Sequence, residues 1–264
     1  MLEVDRSPIA FGELLRRPGV VEALDLRGRF GFMAFHGGNL ERITDQIASE
    51  AAARSGASFY AVLQPEGMRH HLPSTKVDPA DSPKLQAFLD HCDHVVAVHG
   101  YGKRGHFTSL LCGGGNRELA HHVAGHLRDA VPAYRVIDDI DDIPKQLRGL
   151  HPRNPCNLTR GGGTQLELPP RVRGLTPLIW YWPAHGGPPP YGGPDRRSEI
   201  DAIDRRFTHV HDLIDGLAKA ALSWENAPQD GPPDGEEVPI PTTPPTGTGV
   251  SPMDADTSRS TVSP

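Results

Sequence analysis

The chain has 264 residues, 37% of them hydrophobic, and a net charge of −6, which suffices for one sizeable domain with a real core. No basic excess is present to follow a nucleic-acid backbone or an anionic membrane, and no run of roughly 20 apolar residues could span a bilayer. The three cysteines, Cys92, Cys112 and Cys156, lack the paired spacing of a disulfide framework or a cysteine zinc site, and are expected to be buried small hydrophobes. In chain order, short apolar β-rich runs predict strands over Arg29 to Phe35, Ser58 to Leu63, His94 to Val98, Phe107 to Leu111, Tyr134 to Ile137, Thr164 to Leu168 and Leu178 to Trp182.

Helices are expected between these strands. Leu40 to Arg54 carries Leu40, Ile43, Ile47 and Ala51 at helical spacing, and Asn116 to Ala130 carries Leu119, Val123 and Leu127 behind Asn116 as N-cap. Glu199 to Trp224 carries an apolar stripe behind Ser198. The alternation predicts an α/β domain over residues 1–225, with a mixed, mainly parallel sheet flanked by helices. Pro183 to Pro194 reads as a surface loop that could wall a groove, with Tyr181 or Tyr191 near it. Residues 226–264 are rich in Pro, Gly, Thr and Ser and carry six acidic residues against one arginine, so −5 of the net charge lies there. So few large apolar residues cannot offset the entropy of ordering, and this tail is expected to be disordered. The opening Met1-Leu2-Glu3-Val4-Asp5-Arg6 has no secretory pattern, which predicts a cytoplasmic protein, or one released by lysis if a phage encodes it.

The most informative stretch is Phe32-Met33-Ala34-Phe35-His36-Gly37-Gly38-Asn39-Leu40-Glu41. An apolar run ends in a histidine, two glycines permit a sharp turn, and a carboxylate opens the expected helix. A second strand-histidine unit, Val95-Val96-Ala97-Val98-His99-Gly100, follows. Parallel strands end on one side of a sheet, so His36, Glu41 and His99 can share an ion if their strands are neighbours. Two histidines and a carboxylate with an open position form a common catalytic zinc shell. In Gly161-Gly162-Gly163-Thr164-Gln165-Leu166-Glu167-Leu168, alternation puts Thr164, Leu166 and Leu168 on one face and Gln165 and Glu167 on the other. Glu167 suits the general base and acid of amide hydrolysis; composition alone equally fits a salt-bridged or surface strand residue. His122 and His126 stand four apart on a helix without the Glu of a His-Glu-x-x-His pattern, and read as a solvated face.

His36-Gly37-Gly38-Asn39-Leu40-Glu41, Val98-His99-Gly100, Asn154-Pro155-Cys156-Asn157 and Gly163-Thr164-Gln165-Leu166-Glu167-Leu168 together resemble the poly-γ-glutamate hydrolase family of phages and prophage-like regions. The resemblance runs from about Phe30 to Arg173. It implies a zinc-carboxypeptidase-like fold and one Zn2+ per chain, with His36, Glu41 and His99 as ligands and Glu167 as general base and acid. The implied activity is cleavage of γ-glutamyl amide bonds in poly-γ-glutamate, with a water activated by the ion as nucleophile and a nearby arginine at the oxyanion. An anionic polymer calls for cations in its groove. Arg117, Arg153, Arg160 and Arg171 lie in or beside the matched segments and are candidates, and His106 is a candidate support behind the ligands. No nucleic acid, membrane or obligate protein partner is implied. Two other readings remain: a zinc deacylase or peptidase acting on small N-acyl amino acids or cell-wall peptides, and a non-catalytic binding module of the same fold.

Overall fold

The computed structural model describes residues 4–102, 106–175 and 209–226. Within them, seven strands form one sheet: β1 (Val21–Asp25), β2 (Phe30–Gly38), β3 (Ser58–Gln64), β4 (His94–Gly100), β5 (Ser109–Cys112), β6 (Arg135–Ile137) and β7 (Gly163–Leu168). The helices are α1 (Phe11–Leu15), α2 (Thr44–Ser55), α3 (Pro83–His91), α4 (Arg117–Ala130) and α5 (His209–Glu225). The strand order is β1-β3-β2-β4-β7-β5-β6. β2 runs parallel to β3 and β4, and β4 to β7, while β1 pairs antiparallel with β3 and β5 antiparallel with β7. The expected mixed, mainly parallel α/β sheet is present. All described elements belong to one unit, Met1–Ala227.

The central strands are apolar on both faces, as parallel strands covered by helices must be. On one face Phe30, Phe32, Ala34, Val96, Val98, Leu166 and Leu168 pack with Ile47 and Ala51 of α2, Leu119 and Val123 of α4, and Leu213 and Leu217 of α5. On the other, Met33, Phe35, Val95 and Ala97 meet Phe11 and Leu14 of α1 and Leu85 and Phe88 of α3. Asn116 caps α4 as its spacing predicts, accepting a hydrogen bond from Leu119 N–H at 2.9 Å. The three cysteines are free and buried.

Several expectations shift. β2 extends through Gly38, so His36 lies inside the strand, as His99 does in β4, rather than past its end. α2 starts at Thr44, and Glu41 sits in the connecting turn. β1, α1 and α3 have no counterpart among the expected elements. The expected strand at Leu178 to Trp182, the Pro183 to Pro194 loop and the Ser198 cap lie outside the described residues, as do the first part of the last helix and nearly all of the 226–264 tail. Among the described residues, no helix is long and apolar enough to cross a membrane.

Candidate active site

Three neighbouring strands deliver the site. β2, β4 and β7 are adjacent and parallel, so their carboxyl ends meet on one edge. His99 on β4 is the direct register partner of Glu167 on β7. The pairing of β2 with β3 shifts register between Ala34 and Gly37, which interrupts strict alternation. The rings of consecutive Phe35 and His36 therefore lie 4.9 Å apart, edge to face. Phe35 also meets His99, at 4.7 Å, and forms an apolar floor beneath both imidazoles.

The two glycines after His36 are sterically required. A Cβ on Gly37 would come within 2.8 Å of Asp45 Cβ, and one on Gly38 within 2.3 Å of the Gln64 carbonyl oxygen. Gly38 also has φ +67°, a left-handed conformation that side chains disfavour. The turn closes with Glu41 N–H donating to His36 O at 2.9 Å. It ends at Ile43, a buried β-branched residue with φ +76° just before α2. A strained residue of this kind persists where surrounding packing over-determines it, which is common near functional sites.

This turn folds the Glu41 carboxylate between two imidazoles. Its Oε1 lies 3.0 Å from His36 Nδ1, and its Oε2 lies 3.3 Å from His99 Nδ1 and accepts from Gly100 N–H at 2.9 Å. One donor atom from each of His36, Glu41 and His99 falls within a 4.8 Å cluster that could hold a metal ion. His36 Nε2 donates to Leu72 O at 2.8 Å, so in the neutral ring Nδ1 is a lone pair aimed at a carboxylate. Such a contact needs a proton or a cation to be favourable. Burial alone would lower the His36 pKa, but the Glu41 carboxylate outweighs it and holds it raised. Burial would raise Glu41, and the two imidazoles hold it well below the usual carboxylate range. His99 Nε2 is buried with no hydrogen-bond partner among the described residues.

Glu167 behaves in the opposite way. Burial, with the Glu41 charge nearby, pushes its pKa up to about 7 against the pull of His99. Gln165, on the same face of β7, donates from Nε2 to Glu167 Oε1 at 2.8 Å. Asn154 Nδ2 in turn donates to Gln165 Oε1 at 2.7 Å, which fixes which end of the Gln165 amide faces Glu167. A Cβ on Gly149 would strike the Gln165 side chain at 2.7 Å, so the glycine makes room for this relay. His36, Glu41, His99, Gln165, Glu167 and Asn154 line one cleft of about 620 Å3. His71 lines it too; burial and the nearby His36 charge bring its pKa down to about 4.

The four expected arginines are not gathered here. Arg117 spends its guanidinium on the backbone carbonyls of Cys112, Gly114 and Asp138. Arg160 pairs with Asp93, just before the start of β4 and so at the opposite end of the strands. Arg171 is exposed beside Tyr134, and Arg153 lines a neighbouring cavity. The cations that line the cleft are Arg6, Lys145 and Arg148. Arg148 is tied to Asp141 and Ile143 O. His106 is not among the residues that line the cleft; its backbone carbonyl accepts from the Tyr101 hydroxyl at 2.8 Å. Arg173, buried against Gly100 and donating to Arg42 O at 2.6 Å, sits close enough to Glu167 to favour its ionised form. Gln165 and Asn154 stand in the quoted motif segments without an assigned role, Gln165 placed also by the alternation of β7, whereas Arg173 ends the matched stretch with no signal of its own.

The family model described as poly-gamma-glutamate hydrolase matches residues 18–175. Among solved structures, one described as a bacteriophage poly-gamma-glutamate hydrolase superposes with a TM-score of 0.61 at 18% identity, covering 81% of this chain and 94% of its own. A second, YNDL in an apo, zinc-free form, gives a TM-score of 0.51 at 21% identity, covering 61% of this chain and 77% of its own. At these identities the two structures establish the shared fold. No curated protein matches the sequence. The family match spans more than half of the chain and takes in both histidines, Glu41 and Glu167: the chain belongs to the poly-gamma-glutamate hydrolase family.

Proposed function

We propose that this chain hydrolyses the γ-glutamyl amide bonds of poly-γ-glutamate, with zinc held by His36, Glu41 and His99 and with Glu167 moving the protons. The family and the structural relative indicate a hydrolase. The observation that carries the finer reading is the convergence of two buried imidazoles and Glu41 next to a second buried carboxylate of opposite proton affinity. Two nitrogens and an oxygen suit zinc, whereas magnesium and calcium favour all-oxygen shells. A solved relative is described by its zinc-free state, which supports the same choice. Bound there, the ion supplies Lewis-acid polarisation of a carbonyl and acidifies water.

The chain's own residues do the remaining work. Leu72 O and Gly100 N–H orient His36 and Glu41 before any ligand arrives. Glu167 accepts the proton of the attacking water and passes it to the departing nitrogen, and a pKa of about 7 suits both halves of that transfer. Gln165 and Asn154 aim it. The exposed cations Arg6 and Lys145 at the cleft stand where α-carboxylates of the polymer would pass. The test is polymer length on a gel after incubation with the purified chain, with and without a chelator. Shortening that needs the metal supports the reading. An intact polymer after incubation with zinc-loaded protein removes poly-γ-glutamate as substrate. Glu167→Gln should keep one zinc per chain and lose turnover, and full activity in that variant would remove Glu167 as the base.

A further inference from the structure

A second cavity, about 720 Å3, lies beside the cleft. The two share Arg6, Pro73 and Thr75 in their walls, so they adjoin across the 72–75 segment. The second cavity carries three exposed cations, Arg6, Lys76 and Arg153, none of which has a carboxylate partner among the described residues. Its acids are already engaged: Asp81 accepts from Gly12 N–H, Asp78 caps Ala80 N–H, and Glu13 lies 3.8 Å from Arg17. These acids keep their charge but have oxygens already taken up, whereas the side-chain donors of the three cations are open to a ligand. Guanidinium forks and an ammonium in a cavity that adjoins the cleft match a chain bearing repeated carboxylates.

We propose that this cavity is an extension subsite that holds further carboxylate-bearing units of a polymer whose scissile bond lies at Glu167. The inference rests on the function proposed above and adds to it a length requirement. Units seated against Lys76 and Arg153 contribute to affinity for long chains and nothing to the shortest cleavable oligomer. Arg6, shared by both cavities, marks where the polymer crosses the dividing segment.

The experiment is steady-state kinetics of the full chain and the double variant Lys76→Glu/Arg153→Glu on long poly-γ-glutamate and on the shortest oligomer that is cleaved. Both residues are exposed, and an unchanged thermal unfolding transition would establish folding. The expected result is a KM for the polymer raised about tenfold, with kcat and oligomer kinetics unchanged. Lys76→Gln/Arg153→Gln should fall between wild type and the reversal. Equal KM values for the polymer in wild type and both variants would overturn the subsite while leaving the hydrolase reading intact. If wild type cleaves neither substrate, that reading falls, and equilibrium binding of fluorescein-labelled poly-γ-glutamate decides the subsite. Binding weakened by the reversal supports it, and binding equal in both proteins overturns it.

Discussion

Replacing Gln165 with Ala isolates the relay behind the proposed base. In the folded chain the Gln165 amide donates at 2.8 Å to a Glu167 carboxylate that is almost wholly buried. A hydrogen bond to a charged buried group is worth about 1.5–3 kcal/mol, and about 1.4 kcal/mol corresponds to one pH unit of proton affinity. Because the bond favours the ionised form, losing it moves the acid limb of the pH–rate profile up by about one to two pH units. Starting from a pKa of about 7, the ionised fraction at neutral pH drops from about one half to between a tenth and a hundredth. Turnover at pH 7 should then fall about five- to fiftyfold and return toward the wild-type value as pH rises. The assay is kcat/KM for polymer cleavage across pH 5.5 to 9.5, with zinc content measured in parallel. A bound cation would lower the absolute position of both limbs but not remove their separation. An acid limb at the same pH in both proteins, with equal zinc content, would refute the argument. Asn154→Ala frees the Gln165 amide to turn over and should shift the limb in the same direction, by less.

Further outcomes follow from the same geometry. Metal-free Glu167→Gln should be more stable than wild type at neutral and alkaline pH: the folded pKa is about 7 against 4.5, so a penalty grows from pH 4.5 and is complete above pH 7, on the order of 3 kcal/mol. Urea unfolding at pH 4 and pH 8 checks this, and equal gaps at the two values would contradict it. Gly38→Ala forces a left-handed alanine whose Cβ lies 2.3 Å from Gln64 O, and strain plus overpacking should cost about 3 kcal/mol or more. Its urea midpoint should drop accordingly, and an unchanged midpoint would show that the turn relaxes freely. His36→Ala and His99→Ala should each lose zinc by atomic absorption, and normal content in either would free that residue from the ligand set.

β2 and β4 were readable because they are buried on both faces and spell themselves as apolar runs leading to a histidine. The face shared by Gln165 and Glu167 followed from a period of two alone. β1 was not readable: Val21-Glu22-Ala23-Leu24-Asp25 is a half-exposed edge strand, with no apolar run to announce it. α3 carries a Ser82 cap and Pro83 at its first position, start signals set in a short and largely polar stretch. The arginines failed for a different reason. Sequence proximity to a motif says nothing about which end of a strand a residue occupies, and Arg160, immediately before the glycines that lead into β7, lies at the wrong end of the sheet. The cations that do line the cleft, Arg6, Lys145 and Arg148, come from segments with no motif, brought there by folding alone.

The hydrogen bond from His36 to Leu72 O joins the ligand cluster to the wall that divides the two cavities. Whatever steadies one end of that bond steadies the other, and thermodynamic linkage makes the effect mutual. On the proposed function, polymer pressed against Pro73 and Thr75 would hold the carbonyl in place, and with it the imidazole assigned to the ion. A chain engaged on substrate should accordingly release its metal to a chelator more slowly than an idle one, which ties the protection of the cofactor to the presence of work to do.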